Sequence, residues 1–132
     1  MKKFLTISLL CGLAGCVVSP PASTSPATPV FFQSFSAVLD ESALAAIASA
    51  AKAANQQPDA RVTVTGAADS VGSIQANKYL SETRAQVVAD ALVSDGVSAD
   101  RIHIRGVGIA SAPGAAGAPA QSARRVLVQI GG

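Results

Sequence analysis

Apolar and polar residues alternate over Arg61-Val62-Thr63-Val64-Thr65, a period of two that places one face of a strand in a core. Arg101-Ile102-His103-Ile104-Arg105 repeats the pattern, and residues 124–130 set Val126, Val128 and Ile130 on one face. Val30-Phe31-Phe32-Gln33-Ser34-Phe35 predicts a further strand, the first in the chain; clustered aromatics are expected in the core. Two stretches have the helical period instead. Leu44, Ile47, Ala48, Ala51 and Ala54 form one stripe, with Asp40 placed to cap its start and Pro58 to end it. Leu80, Arg84, Val87, Val88, Ala91 and Leu92 form a second stripe, over residues 73–95, with Gly96 suited to a left-handed C-terminal cap. The order is β-α-β-α-β-β with no internal repeat. It predicts an α+β two-layer sandwich, two helices on one face of a mixed four-stranded sheet. Between the last two strands, residues 109–122 read as a loose Gly/Ala/Pro loop.

The amino terminus is organised differently. Lys2 and Lys3 precede an apolar run over residues 4–13 that is too short to span a bilayer. The run ends Leu13-Ala14-Gly15-Cys16, which resembles the lipobox of bacterial lipoproteins. The resemblance implies a signal peptide over residues 1–15, removal before Cys16, and acyl chains, palmitate among them, on the new terminus. Residue 17 is Val rather than Asp, so no retention signal of the enteric inner-membrane type is read. Residues 16–29 then hold the lipidated Cys and a Pro/Ser/Thr-rich linker that extends about 3 Å per residue. The folded domain is expected over 30–132.

Cysteine use and charge agree with this division. Of the two Cys, Cys11 lies inside the apolar run and Cys16 would stand alone, so no disulfide is expected in the mature chain. Loss of Lys2 and Lys3 lowers ten basic residues to eight, against eight acidic ones. A chain so balanced is not expected to bind nucleic acid or an anionic lipid surface as its main partner. The hydrophobic share of 49% draws on the leader and on Ala, so the core should be light.

Arg84 breaks the apolar stripe of the second helix. A guanidinium there cannot lose its water without a partner. Asn77 lies seven residues earlier, on the same face, and Asp69 is the nearest upstream carboxylate. The three can converge where strand, loop and helix meet. An Asp beside an Arg complements a ligand carrying both an ammonium and a carboxylate. The competing reading is an ion pair that only closes the loop onto the helix. His103, the single His, falls on the polar face of its strand. No second His, free Cys or paired carboxylate spacing suggests a metal site, no cofactor motif is present, and no nucleophile elbow suggests a hydrolase.

The block Gly66-Ala67-Ala68-Asp69-Ser70, Gly72-Ser73, Asn77-x-x-Leu80-Ser81-x-x-Arg84-Ala85, with the later Arg124-Arg125-Val126, resembles the OmpA-like peptidoglycan-binding domain. That family includes the peptidoglycan-associated lipoproteins, and the resemblance covers roughly residues 30–130. It implies the same α+β fold. It also implies that Asp69 and Arg84 hold the ammonium and carboxylate of the diaminopimelate in the stem peptide, with Asn77 and Arg124 as further contacts and Arg125 exposed. Ala67 stands where the family often has His, and Ala123 where it often has Asn. The Arg usual in that stretch is missing from Pro119-Ala120-Gln121-Ser122.

The expected function is a non-enzymatic tether: a lipoprotein of the outer membrane, with its domain in the periplasm, gripping peptidoglycan. The alternatives are a degenerate domain that contacts other envelope proteins, and, less favoured, a small cell-wall hydrolase. Cys16→Ser should convert the protein to a soluble one, because acyl chains stabilise membrane attachment by about 0.8 kcal/mol per buried CH2. Fractionation after a high-salt wash checks this; a variant that stays with membranes removes the lipid anchor from the account.

Overall fold

The structure, a computed structural model, describes residues 26–110 and 120–131. The expected signal peptide, Cys16, most of the linker, and residues 111–119 of the Gly/Ala/Pro loop lie outside the described residues.

Six main elements follow in the expected order. They are β1 (Thr28–Phe31), α1 (Glu41–Asn55), β2 (Val62–Ala68), α2 (Ile74–Ser94), β3 (Ile102–Ile109) and β4 (Arg125–Ile130). The sheet order is β1-β4-β2-β3. β2 and β3 run parallel, and β4 is antiparallel to both β1 and β2. Both helices cover one face of this mixed sheet, as the periodicity predicted.

Local chemistry sets the element ends. Asp40 Oδ1 accepts from Ala43 N at 2.8 Å and from Ser42 Oγ at 2.7 Å, which caps α1. The Ala43 N–H, and after it the Ser42 hydroxyl, hold the Asp40 carboxyl below its ordinary pKa. Ser73 Oγ caps α2 by accepting from Ala76 N at 3.1 Å. At the other end of α2, Gly96 takes φ +94°, Val97 N donates to Leu92 O and Gly96 N donates to Val93 O, both at 3.0 Å. This is a Schellman closure, with Val97 and Leu92 both buried beneath it. Past it, Arg101 sits in a short 3₁₀ turn rather than on β3. Its guanidinium donates to Ala54 O, Gln57 O and Ala60 O, tying the end of α1 to the start of β3.

Several expectations about faces are corrected. β1 starts at Thr28 and stops at Phe31, so it is an edge strand of four residues. Of the three aromatics expected in the core, only Phe32 is buried; Phe31 is 44% exposed and Phe35 69% exposed. Phe31 pairs with Arg125 on the sheet face away from the helices, and Phe35 lies in a turn after the strand has ended. In α1 the buried positions are Ala43, Ile47, Ala50, Ala51 and Ala54, while Leu44 and Ala48 are exposed. The buried stripe is filled by small Ala side chains around Ile47, and Leu44 falls on its outer flank. β3 is longer than expected and lies at the other edge, which leaves Ile104 41% exposed. His103 is exposed, as expected.

The buried face of α2 is rotated from the predicted one. Asn77, Ser81, Arg84, Ala85, Val88, Ala89 and Leu92 are buried, whereas Leu80, Val87 and Ala91 are half-buried. The cause is close approach. A Cβ added at Gly66 on β2 would stand 2.0 Å from Ser81 O, and one at Gly106 on β3 would stand 2.7 Å from Glu82 N. The helix backbone therefore rests on two glycines, with small side chains between. Near this contact the β2–β3 register shifts between Gly66 and Ala68. Gly108 sits in this irregular part of β3 with φ +70° and donates its N–H to Ser81 Oγ at 2.8 Å.

Gly66→Ala should be strongly destabilising, because the obstruction is helix backbone and cannot rotate away. A loss of roughly 3 kcal/mol or more is expected from overpacking. Chemical denaturation checks it, and a change under about 0.5 kcal/mol, the range of an ordinary surface substitution, would contradict the packing described.

Candidate ligand-binding site

β2 delivers the chain to Asp69, and residues 69–73 turn it into α2. Asp69 Oδ1 accepts from Val71 N at 3.2 Å, and Asn77 Nδ2 donates to Val71 O at 3.0 Å. The loop is thus held from below by its own Asp and from the helix by Asn77. Both residues are buried, at 6% and 3% exposure. Small residues make this possible, since the loop has no bulk that must escape to solvent.

Asp69 Oδ2 forms an ion pair with Arg124 Nη1 at 3.1 Å. Only 12% of the Arg124 side chain and 8% of the Asp69 side chain are exposed, so water screens the pair weakly. Arg124 precedes β4, and its Nε donates to Phe32 O at 3.2 Å while its own carbonyl accepts from Phe32 N at 2.9 Å. Arg125 points the other way, opposite Phe31; it is half-buried rather than freely exposed and donates to Ser122 O.

Arg84 has the most enclosed position. It is fully buried. Nε donates to Ser36 O at 2.8 Å, Nη1 to Ala67 O at 3.0 Å and Nη2 to Gln33 O at 2.9 Å. The Phe32 ring centroid lies 5.2 Å from its Cζ. Burial pushes the guanidinium below its ordinary pKa; the Asp69 charge opposes this and the Arg124 charge adds to it. A guanidinium remains protonated through the physiological range even so.

The four residues singled out in the sequence therefore meet at one end of the sheet, with a different pairing from the one considered. Asp69 engages Arg124, and among the described residues its interaction with Arg84 is through space rather than an ion pair. Arg84 instead spends its fork on main-chain carbonyls of the Gln33 to Ser36 turn and of β2. The carbonyls of Gln33 and Ser36 and the ring of Phe32 were missed as neighbours. Backbone acceptors leave no mark in a sequence, and the Phe signal was visible but read only as core. Among the described residues no group of three or more His, Cys, Asp or Glu could hold a metal. No helix among them is long and apolar enough to cross a membrane.

The cluster holds two guanidiniums against one carboxylate. It has a local excess of one positive charge in a poorly hydrated place, which a ligand carboxylate would balance.

A model of the OmpA family matches residues 31–128, which include all four of these side chains. The chain belongs to the OmpA family. Among similar proteins, the peptidoglycan-binding protein ArfA of Mycobacterium tuberculosis is 41% identical over 73 residues, covering 55% of this chain and 22% of ArfA. The probable lipoprotein YiaD of Escherichia coli is 38% identical over 82 residues, covering 62% of this chain and 37% of YiaD. The chain thus matches well under half the length of these relatives. Outer membrane protein A of Serratia marcescens is matched over only 15% of its length, at 54% identity across 41% of this chain. The peptidoglycan-associated lipoprotein of Burkholderia pseudomallei has the same fold, with a TM-score of 0.71 at 23% identity, covering 78% of this chain and 89% of that one. The OmpA-like domain of FopA1 from Francisella tularensis gives a TM-score of 0.69 at 27% identity, over 78% and 70% of the two chains.

Arg84→Lys separates charge from geometry. A Lys ammonium keeps the charge but cannot serve three carbonyls from a planar fork. At least one buried carbonyl should lose its donor, at about 1–3 kcal/mol of folding stability. Asp69→Asn keeps an acceptor for Val71 N and loses the ion pair, and should also lower stability by unpairing Arg124. Thermal unfolding of both variants checks the assignment, and wild-type melting of Arg84→Lys would refute the structural role of the fork.

Proposed function

We propose that this chain is a non-enzymatic peptidoglycan-binding lipoprotein that ties a membrane to the cell wall. Its domain grips the diaminopimelate of the stem peptide through Asp69, Asn77, Arg84 and Arg124. Acyl chains on Cys16 hold it in the outer membrane, and the domain faces the periplasm. The observation that carries this reading is the charge arrangement: one carboxylate and two guanidiniums buried together, with Arg84 facing only neutral acceptors. Similarity to ArfA, a peptidoglycan-binding protein, and to YiaD, a probable lipoprotein, supports it.

The binding step is an exchange of partners. The ligand ammonium takes the Asp69 oxygen now held by Arg124, and the ligand carboxylate takes the Arg124 fork. Arg84 stays on its carbonyls and adds the field of a second buried cation behind the carboxylate. Asn77 keeps the loop in place by holding Val71 O. The ligand group adds one charge of each sign, so the net charge of the cluster is unchanged by the exchange, and no bond is made or broken.

A second reading, an envelope module that contacts other proteins instead of peptidoglycan, draws on Ala67 and Ala123. Both are buried apolar residues where polar ligand contacts were expected.

Retention on purified sacculi separates the two. The first reading expects binding to sacculi whose stem peptides carry diaminopimelate and much weaker binding where Lys replaces it, since Lys lacks the carboxylate and leaves Arg124 unpaired. Asp69→Ala should cost roughly 2–5 kcal/mol of that binding. Equal retention on both kinds of sacculi defeats the diaminopimelate assignment, and no retention on either leaves the protein-contact reading.

A further inference from the structure

Phe35 combines two features that oppose each other. Its backbone has φ +55°, in the left-handed region that a bulky side chain rarely adopts. Its side chain gains no burial in return, being 69% exposed. A Gly would occupy this turn without strain. Strain at an exposed residue persists only where the surroundings over-determine it, and such residues cluster at ligand sites.

The surroundings here are specific. The carbonyls on either side of Phe35, those of Gln33 and Ser36, are the two that accept from Arg84 Nη2 and Nε. Ser36 N closes the turn on Gln33 O at 3.3 Å, and Ser36 Oγ accepts from Val38 N at 3.0 Å. Phe32, three residues before, lies inside beside Arg84 and gives its carbonyl to Arg124. The aromatic ring is therefore carried on a turn that is pinned to the site cluster and stands at its rim. Gln33 and Ser34 beside it are exposed and polar.

We propose that Phe35 is a stacking platform for a sugar ring of the glycan strand. The proposal rests on the peptidoglycan reading above and extends it from the stem peptide to the sugar that bears the peptide. A pyranose offers an apolar C–H face with hydroxyls around its equator. A single rigid aromatic face with an amide and a hydroxyl beside it matches that chemistry.

The experiment titrates the full chain, in detergent, with two ligands: a diaminopimelate-containing tetrapeptide, and the same peptide on its disaccharide. The wild type should bind the disaccharide form about three- to tenfold more tightly, the range expected for one aromatic stacking contact. Phe35→Gly relieves the strained φ, so the fold is kept. It should abolish that advantage while leaving affinity for the free peptide within about twofold. Phe35→Tyr should keep the advantage. Equal wild-type affinity for the two ligands overturns the proposal, as does an advantage that survives Phe35→Gly. Equal weakening of both ligands by Phe35→Gly also overturns it, because the ring would then serve the Arg84 turn and not the sugar. Binding of neither ligand by the wild type brings down the peptidoglycan reading itself, and this inference with it.

Discussion

Burying one guanidinium organises this end of the domain. Arg84 is fully enclosed, and a cation so placed destabilises the fold unless each direction of its fork meets an acceptor. Two segments supply those acceptors, the turn after β1 and the last residues of β2, and Asp69 at the head of the loop adds its field. The turn must hold Gln33 and Ser36 at fixed positions, β2 must present Ala67 O toward the helix, and α2 must lie close enough for a side chain to reach all three. The two glycines under α2 satisfy the last condition. Without Gly66 and Gly106 the helix would stand off the sheet and the guanidinium would lose its seat.

Much of this was legible in the sequence. Strict alternation at Val62 and Val64 and at Val126, Val128 and Ile130 gave strands whose buried faces are the ones observed. Capping chemistry gave the start of α1 and the Gly96 stop of α2. The failures have physical causes. In α1 the buried stripe is phased on Ala43, Ile47, Ala50 and Ala54, so Leu44 was placed inside when it lies outside. At β1 three Phe suggested one buried cluster, but a strand sends alternate residues to opposite faces and the chain then leaves the sheet. In the site, Asp69, Asn77, Arg84 and Arg124 were all found by motif, and all meet. Their pairing was not legible, because it depends on main-chain carbonyls and on which of two Arg comes nearer to one Asp. Sequence position names the members of a cluster and says little about who holds whom.

The two Arg differ in what surrounds them. Arg84 has neutral partners fixed by the fold, so its position is set before any ligand arrives. Arg124 has a charged partner, Asp69. In the exchange proposed above, the first is a fixed source of potential and the second is the contact that changes partner. A binding site needs both, since preorganisation reduces the ordering that association would otherwise impose.

The sheet edges have a consequence for crowding. β1 is four residues long and carries Pro29, which has no N–H to offer a neighbour. β3 ends in an irregular stretch with Gly108 in a left-handed conformation. An incoming strand would find a short, donor-poor edge on one side and a kinked one on the other. A neighbouring copy is therefore offered only a shortened ladder on either flank, which lowers the tendency of these sheets to fuse edge to edge at high local density.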